Sequence, residues 1–176
     1  MKAVGYQTAH PIDHPESLLD ITLPDPVATG RDLLVEVNAV SVNPVYTKVR
    51  KSSSPSGDGP DYKVLGWDAS GIVRAVGPDV TLFQPGDRVW YAGSIARQGT
   101  NSELHLVDER IVGHAPKSLD FAEAAALPLT TITAWELLFD RLRVAPGKQP
   151  TQKTLLIIGA SGGVGSILTQ LAARLT

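Results

Sequence analysis

The stretch Gly159-Ala160-Ser161-Gly162-Gly163-Val164-Gly165 constrains this chain more than any other. An apolar run, Thr154–Ile158, precedes it, and a helix-forming segment, Ser166–Leu175, follows it. That order predicts strand, glycine turn, helix. Four glycines within seven residues let the backbone pass close to an anion. The helix N-terminus beyond them offers unpaired N–H groups and partial positive charge, so the turn suits a phosphate. Against the dinucleotide pattern G-x-G-x-x-G, Ala160 takes the first glycine's place, while Gly162 and Gly165 take the other two.

Other readings compete for the same residues. A P-loop is excluded, because Ser166 follows Gly165 where a lysine is required. Gly159, Ser161 and Gly163 match G-x-S-x-G, the nucleophile elbow of serine hydrolases, but no acid and histidine follow Ser161 to complete a triad. An uncommitted strand-to-helix turn is the third reading. The motif lies at residues 159–165 of 176. One strand and one helix cannot bury their own apolar faces, and a parallel sheet needs several such units. The expectation is a piece of a longer protein, or a unit packed on the domain before it.

Upstream, the pattern is β. Met1–Gln7, Ser17–Leu23 and Leu33–Ala39 are short and apolar-rich, separated by breakers such as Pro24, Pro26 and Gly30. Leu33, Val35, Val37 and Ala39 fall on one face of a half-buried strand, with Glu36 and Asn38 on the other. Pro11 and Pro15 punctuate a turn carrying His10 and His14. With no thiol or carboxylate cluster evident around them, these are read as solvated loop histidines rather than metal ligands. Asn43 and Pro44 mark the N-cap and first position of a short helix, and residues 51–62 form a polar Gly/Pro/Ser loop. Val64–Val73, Arg88–Tyr91 and Ser102–Val107 read as further strands, which together indicate a small barrel or sandwich.

After Pro116 the pattern turns helical. Asp120 and Glu123 make a capping box, Pro128 interrupts, and a second helix is predicted over about Thr130–Leu142 with Ile132, Trp135, Leu138 and Leu142 on its buried face. The net charge of −2, without a basic run, gives no support to nucleic-acid or anionic-membrane binding. The absence of cysteine excludes disulfides and thiolate metal sites. No secretory signal or membrane span is read, and the expected location is the cytoplasm.

Five segments in this order resemble the N-terminal half of the medium-chain dehydrogenase/reductase superfamily: Val42-Asn43-Pro44, Leu65–Gly71, Pro85–Val89, Ala124–Leu129 and Gly162–Gly165. The resemblance implies a mostly β, GroES-like catalytic domain over residues 1–126. Residues 127–176 would be a connecting helix and the first βα unit of an incomplete Rossmann domain. In the zinc branch, Cys, His and Cys hold a catalytic metal. Those positions correspond here to Asn43, Trp67 and Leu129, so the chain is similar to the zinc-lacking quinone oxidoreductase branch. That similarity implies NADPH-dependent hydride transfer to a quinone or an α,β-unsaturated carbonyl, in a protein able to form a homodimer at full length. It places Asn43 and Thr133 near the nicotinamide, and Ala160, Ser161, Gly162, Gly163, Val164 and Gly165 at the pyrophosphate. Tyr46, where relatives more often have Asp, is a candidate donor to substrate oxygen or a wall of the pocket. Asp68 is expected to be a buried structural carboxylate and Trp67 a packing residue. Two alternatives stay open: an inactive barrel-type binding or oligomerisation module, and a hydrolase using Ser161. Nucleotide binding by these 176 residues alone is expected to be weak.

Overall fold

A computed structural model of the chain describes residues 1–53, 55, 61–147 and 154–175. Positions 54 and 56–60 of the polar loop, together with Pro150, lie outside the described residues. The chain divides into two compact units, Met1–Ala126 and Leu127–Thr176.

Alternating apolar positions and frequent breakers make the first unit predominantly β. A three-stranded antiparallel sheet contains β1 (Lys2–Tyr6), β2 (Leu19–Thr22) and β4 (Lys63–Val64), in the order β2-β1-β4. A five-stranded antiparallel sheet contains β3 (Asp32–Val40), β5 (Asp68–Val76), β6 (Arg88–Ala92), β7 (Leu104–Asp108) and β8 (Val112–His114). Its order is β7-β3-β5-β6-β8. Neither sheet closes on itself. An isolated bridge, Ala3↔Ser102, ties the two sheets together. The expected barrel is thus a pair of open sheets joined at an edge.

The strand reading of Leu33–Ala39 holds where burial is deepest. Leu33 and Val35 are fully buried and pack with Ala69, Val73, Val89, Tyr91 and Val107 from other strands of the same sheet. Between β3 and β5 lies α1 (Pro44–Ser52), with Pro44 at its first turn, where the missing N–H costs no helix hydrogen bond. Tyr46 and Arg50, four residues apart, form its buried face.

The unit ends in α2 (Phe121–Ala125). Asp120 accepts from the Glu123 amide at 2.8 Å, and the Glu123 carboxylate accepts from the Asp120 amide at 3.0 Å, as the capping box predicts. Asp120→Ala should lower the unfolding free energy by about 1 kcal/mol, read as a shift of the urea midpoint at unchanged slope.

In the second unit, α3 (Pro128–Trp135) runs into a π-helical turn, Glu136–Arg141, and α4 (Gly163–Leu175) packs beside α3. The core is Ala134, Leu138 and Leu168. Of the four residues expected on the buried face, only Leu138 is buried. Ile132, Trp135 and Leu142 are 45%, 47% and 50% exposed. Ala134 and Leu138 set the inward face, and Ile132 lies roughly 200° around the helix from Ala134. The π turn also breaks the 3.6-residue period, since the Leu142 amide bonds back to the Leu137 carbonyl, five residues earlier.

Thr154–Ile158 forms no strand. Residues 154–157 lack regular structure, and Leu156 and Ile158 are 81% and 89% exposed. A strand exists only in a ladder, and among the described residues none pairs with this run. Among the described residues no helix is long and apolar enough to cross a membrane.

Candidate active site

In the first unit, the segment before α1 meets the start of β5. Asn43 sits at the N-cap position but does not cap the helix with its side chain. Its amide nitrogen instead donates to Asp68 Oδ2 at 2.5 Å and to Tyr46 Oη at 3.2 Å. The side-chain nitrogen is committed to the buried carboxylate, and the side-chain oxygen makes no cap bond to the helix amides. Asp68 is fully buried and also accepts from Ser41 Oγ at 3.1 Å, in keeping with a structural carboxylate whose charge needs partners.

Tyr46 is 5% exposed. Its hydroxyl oxygen accepts from the backbone amides of Trp67 at 3.1 Å and Asp68 at 3.0 Å, besides the Asn43 amide. The phenol therefore ties α1 to the turn entering β5, and its ring meets the Trp67 indole edge-on, with centroids 5.0 Å apart. That turn requires Gly66, whose φ is +93°. A Cβ there would also lie 2.5 Å from Asn101 Oδ1.

The chemistry of this group is that of hydrogen-bond donors. Trp67 is buried, and its indole N–H has no partner among the described residues. An indole nitrogen has no lone pair to give, and the Asn43 amide nitrogen is committed to a carboxylate. Neither fits a tetrahedral zinc site, which takes thiolate, imidazole or carboxylate donors.

The second unit carries the remaining candidates. Thr133 on α3 is exposed, and its hydroxyl donates to the Leu129 carbonyl at 2.7 Å. Ala160, Ser161, Gly162 and Gly163 are exposed, whereas Val164 and Gly165 are half-buried. The turn folds tightly: Gly159 has φ +75°, the Gly162 amide donates to the Gly159 carbonyl at 3.0 Å, and a Cβ on Gly165 would lie 2.1 Å from that same oxygen. Glycine is needed at Gly165 because backbone passes against it. The first amides of α4, like those of any α-helix, have no partner within the helix. A helix N-terminus of this kind can accept an anion.

Ser161 lacks the strained conformation of a nucleophile elbow. Arg143 is the only non-glycine residue with positive φ among the described residues.

The structure brings Asn43 and Tyr46 together in the first unit, and Thr133 and Ala160–Gly165 belong to the second. Ser41 was not anticipated. Its signal was only its place two residues before Asn43, and sequence spacing does not show that both side chains reach one carboxylate across 25 residues or more.

Comparison with known proteins adds the family. The alcohol dehydrogenase GroES-like domain matches residues 29–133. A zinc-type alcohol dehydrogenase-like protein of Staphylococcus aureus strain COL is 44% identical over 99% of this chain and 51% of its own length. Among solved structures, a proposed zinc-dependent alcohol dehydrogenase of Rhizobium etli CFN 42 is 62% identical with a TM-score of 0.90, covering 99% of this chain and 50% of that one. The Escherichia coli quinone oxidoreductase complexed with NADPH is 28% identical with a TM-score of 0.77, again over 99% and 50%. The chain thus spans about half the length of the relatives it matches.

Proposed function

The chain belongs to the alcohol dehydrogenase GroES-like domain family, and from that premise we propose that it is the substrate-side half of an NADPH-dependent reductase acting on a quinone or a conjugated enone without catalytic zinc. Oxidoreductases are its relatives. The observation that carries the finer reading is the donor chemistry around Tyr46: an indole N–H and an amide committed to Asp68 stand at two positions where the zinc branch would have ligands, with the phenol beside them. Residues 1–126 would form the catalytic domain and 127–176 the beginning of the nucleotide-binding domain.

Bound NADPH would supply the hydride. Residues Ala160–Gly165 would hold its pyrophosphate through the α4 amides, and Asn43 and Thr133 would border the nicotinamide. Reduction of a quinone or enone builds negative charge on a carbonyl oxygen, which oriented donors can stabilise in place of a Lewis acid. The Tyr46 phenol is the donor that fits this role. Its oxygen already accepts N–H groups, so what it can offer a substrate is its proton. Conjugation spreads the incoming charge, which explains why such acceptors would be preferred over simple ketones.

The relatives with zinc-type names set the alternative, a metal-dependent dehydrogenase. Chelator treatment of the full-length protein separates the two: quinone-dependent NADPH oxidation should be unchanged, and its loss with recovery on zinc addition would reject the zinc-free reading. Asn43→Ala should lower kcat/KM for the quinone about tenfold, a loss of roughly 1.4 kcal/mol of transition-state stabilisation. Unchanged kinetics would remove Asn43 from the site.

A further inference from the structure

The turn between β1 and β2 gathers His10, His14 and Glu16. One ligand atom from each of the three lies within 4.8 Å of the others. The two imidazoles stack with centroids 3.8 Å apart and planes inclined by 15°. Glu16 lies two residues beyond His14, and the turn places its carboxylate and both rings in one cluster.

The backbone that carries this group is tied down. The His14 amide donates to the Pro11 carbonyl at 3.1 Å, and the Ser17 amide to the His14 carbonyl at 3.0 Å. Ser17 Oγ donates to the Ile12 carbonyl at 3.0 Å. Buried Arg50 reaches from α1 to the His10 carbonyl at 2.7 Å. The ligand-bearing residues are thus held on a fixed turn. His10 is half-buried, while His14 and Glu16 are exposed.

We propose that His10, His14 and Glu16 form a peripheral binding site for a first-row divalent transition metal such as zinc. Two imidazoles and one carboxylate suit zinc, nickel or copper rather than magnesium or calcium, which take oxygen donors. Bonds of about 2.0–2.1 Å around a tetrahedral centre place donor atoms roughly 3.4 Å apart, and a metal lies in the plane of each imidazole it binds, so coordination turns the two stacked rings out of their parallel arrangement. Water completes the shell from the solvent side. The site shares no residue with the Asn43–Tyr46–Asp68 group and does not depend on the proposed reductase activity.

Binding has a local signature. The Glu16 amide donates to His14 Nδ1 at 3.1 Å. A metal on Nδ1 displaces that bond directly. A metal on Nε2 moves the ring proton to Nδ1, which then can no longer accept. Either way the Glu16 amide loses its partner.

Zinc titration followed by calorimetry and amide NMR tests the site. One zinc per chain should bind, with the Glu16 amide resonance moving in step. His10→Ala and His14→Ala should each weaken binding about tenfold or more, Glu16→Gln should weaken it less, and magnesium should not compete. At a zinc concentration about a hundredfold above Kd, Tm should rise by several degrees in the wild type and not in the double variant His10→Ala/His14→Ala. Absence of one-to-one binding would overturn the proposal. So would binding retained by the double variant, or zinc that leaves the Glu16 amide unmoved.

Discussion

Tyr46→Phe should lower the unfolding free energy by about 2–5 kcal/mol, because it removes the acceptor shared by two buried backbone amides and each orphaned donor costs about 1–3 kcal/mol. The donors are the Trp67 and Asp68 N–H groups, at 3.1 and 3.0 Å from the phenol oxygen. The ring itself stays, so packing against Trp67 is preserved and the loss isolates the hydroxyl. Asn43 retains Asp68 as its acceptor and adds little to the change. Urea unfolding of the wild type and the variant measures it. A loss below about 1 kcal/mol would mean that the two amides find other acceptors. Activity gives a separate readout. If the phenol also donates to substrate oxygen, kcat in Tyr46→Phe should fall under conditions where the variant is fully folded, with KM changing less.

The second large effect is a dependence of stability on pH. His105 on β7 is 4% exposed, and burial pushes its imidazole down to about 4, against a weaker opposing pull from its hydrogen bond to Gln98. The ring lies between two partners: Nδ1 is 3.0 Å from Tyr91 Oη, and Nε2 is 3.0 Å from the Gln98 carbonyl. A carbonyl only accepts, so Nε2 carries the proton and Nδ1 accepts from the tyrosine. Burial also pushes the Tyr91 phenol up, so it remains a donor throughout the physiological range.

The sign follows from the folded state binding fewer protons than the unfolded one. The neutral ring's contribution is complete above pH about 6.5, the unfolded value, and declines as the pH falls toward about 4. At roughly 1.4 kcal/mol per unit, the total is about 3 kcal/mol, of which about 2 is lost by pH 5. His105→Gln keeps a donor and an acceptor but cannot titrate. It should flatten the slope of unfolding free energy between pH 7 and pH 5 relative to the wild type. Equal slopes in the two proteins would show that His105 does not control acid stability.

Both predictions rest on partners distant in sequence, and that is where legibility ended. Four of the five strands of the larger sheet (all but β8), the capping box at Asp120 and the helix after the glycine turn could be read from local pattern, because alternation, caps and glycines act over a few residues. The Tyr46 hydrogen bonds could not, since they join residues 21 and 22 positions apart. The two misreadings in the second unit have the same origin. The Thr154–Ile158 run is apolar enough for a strand, but a strand requires a neighbour. The face expected from Ile132, Trp135 and Leu142 gave way to Ala134 and Leu138, which pack with Leu168 of α4, about 30 residues on.

By itself, then, the sequence determined the order of elements, the glycine turn before α4 and the family, since these are properties of spacing along the chain. Tertiary structure decided what the polar side chains do. It turned Asn43 from a helix cap into a partner of Asp68, made the Tyr46 oxygen an acceptor for buried amides and stacked His10 on His14. The physical reason is that a buried or clustered polar group takes its role from whichever partner folding places within about 3 Å, and chain spacing does not encode that distance.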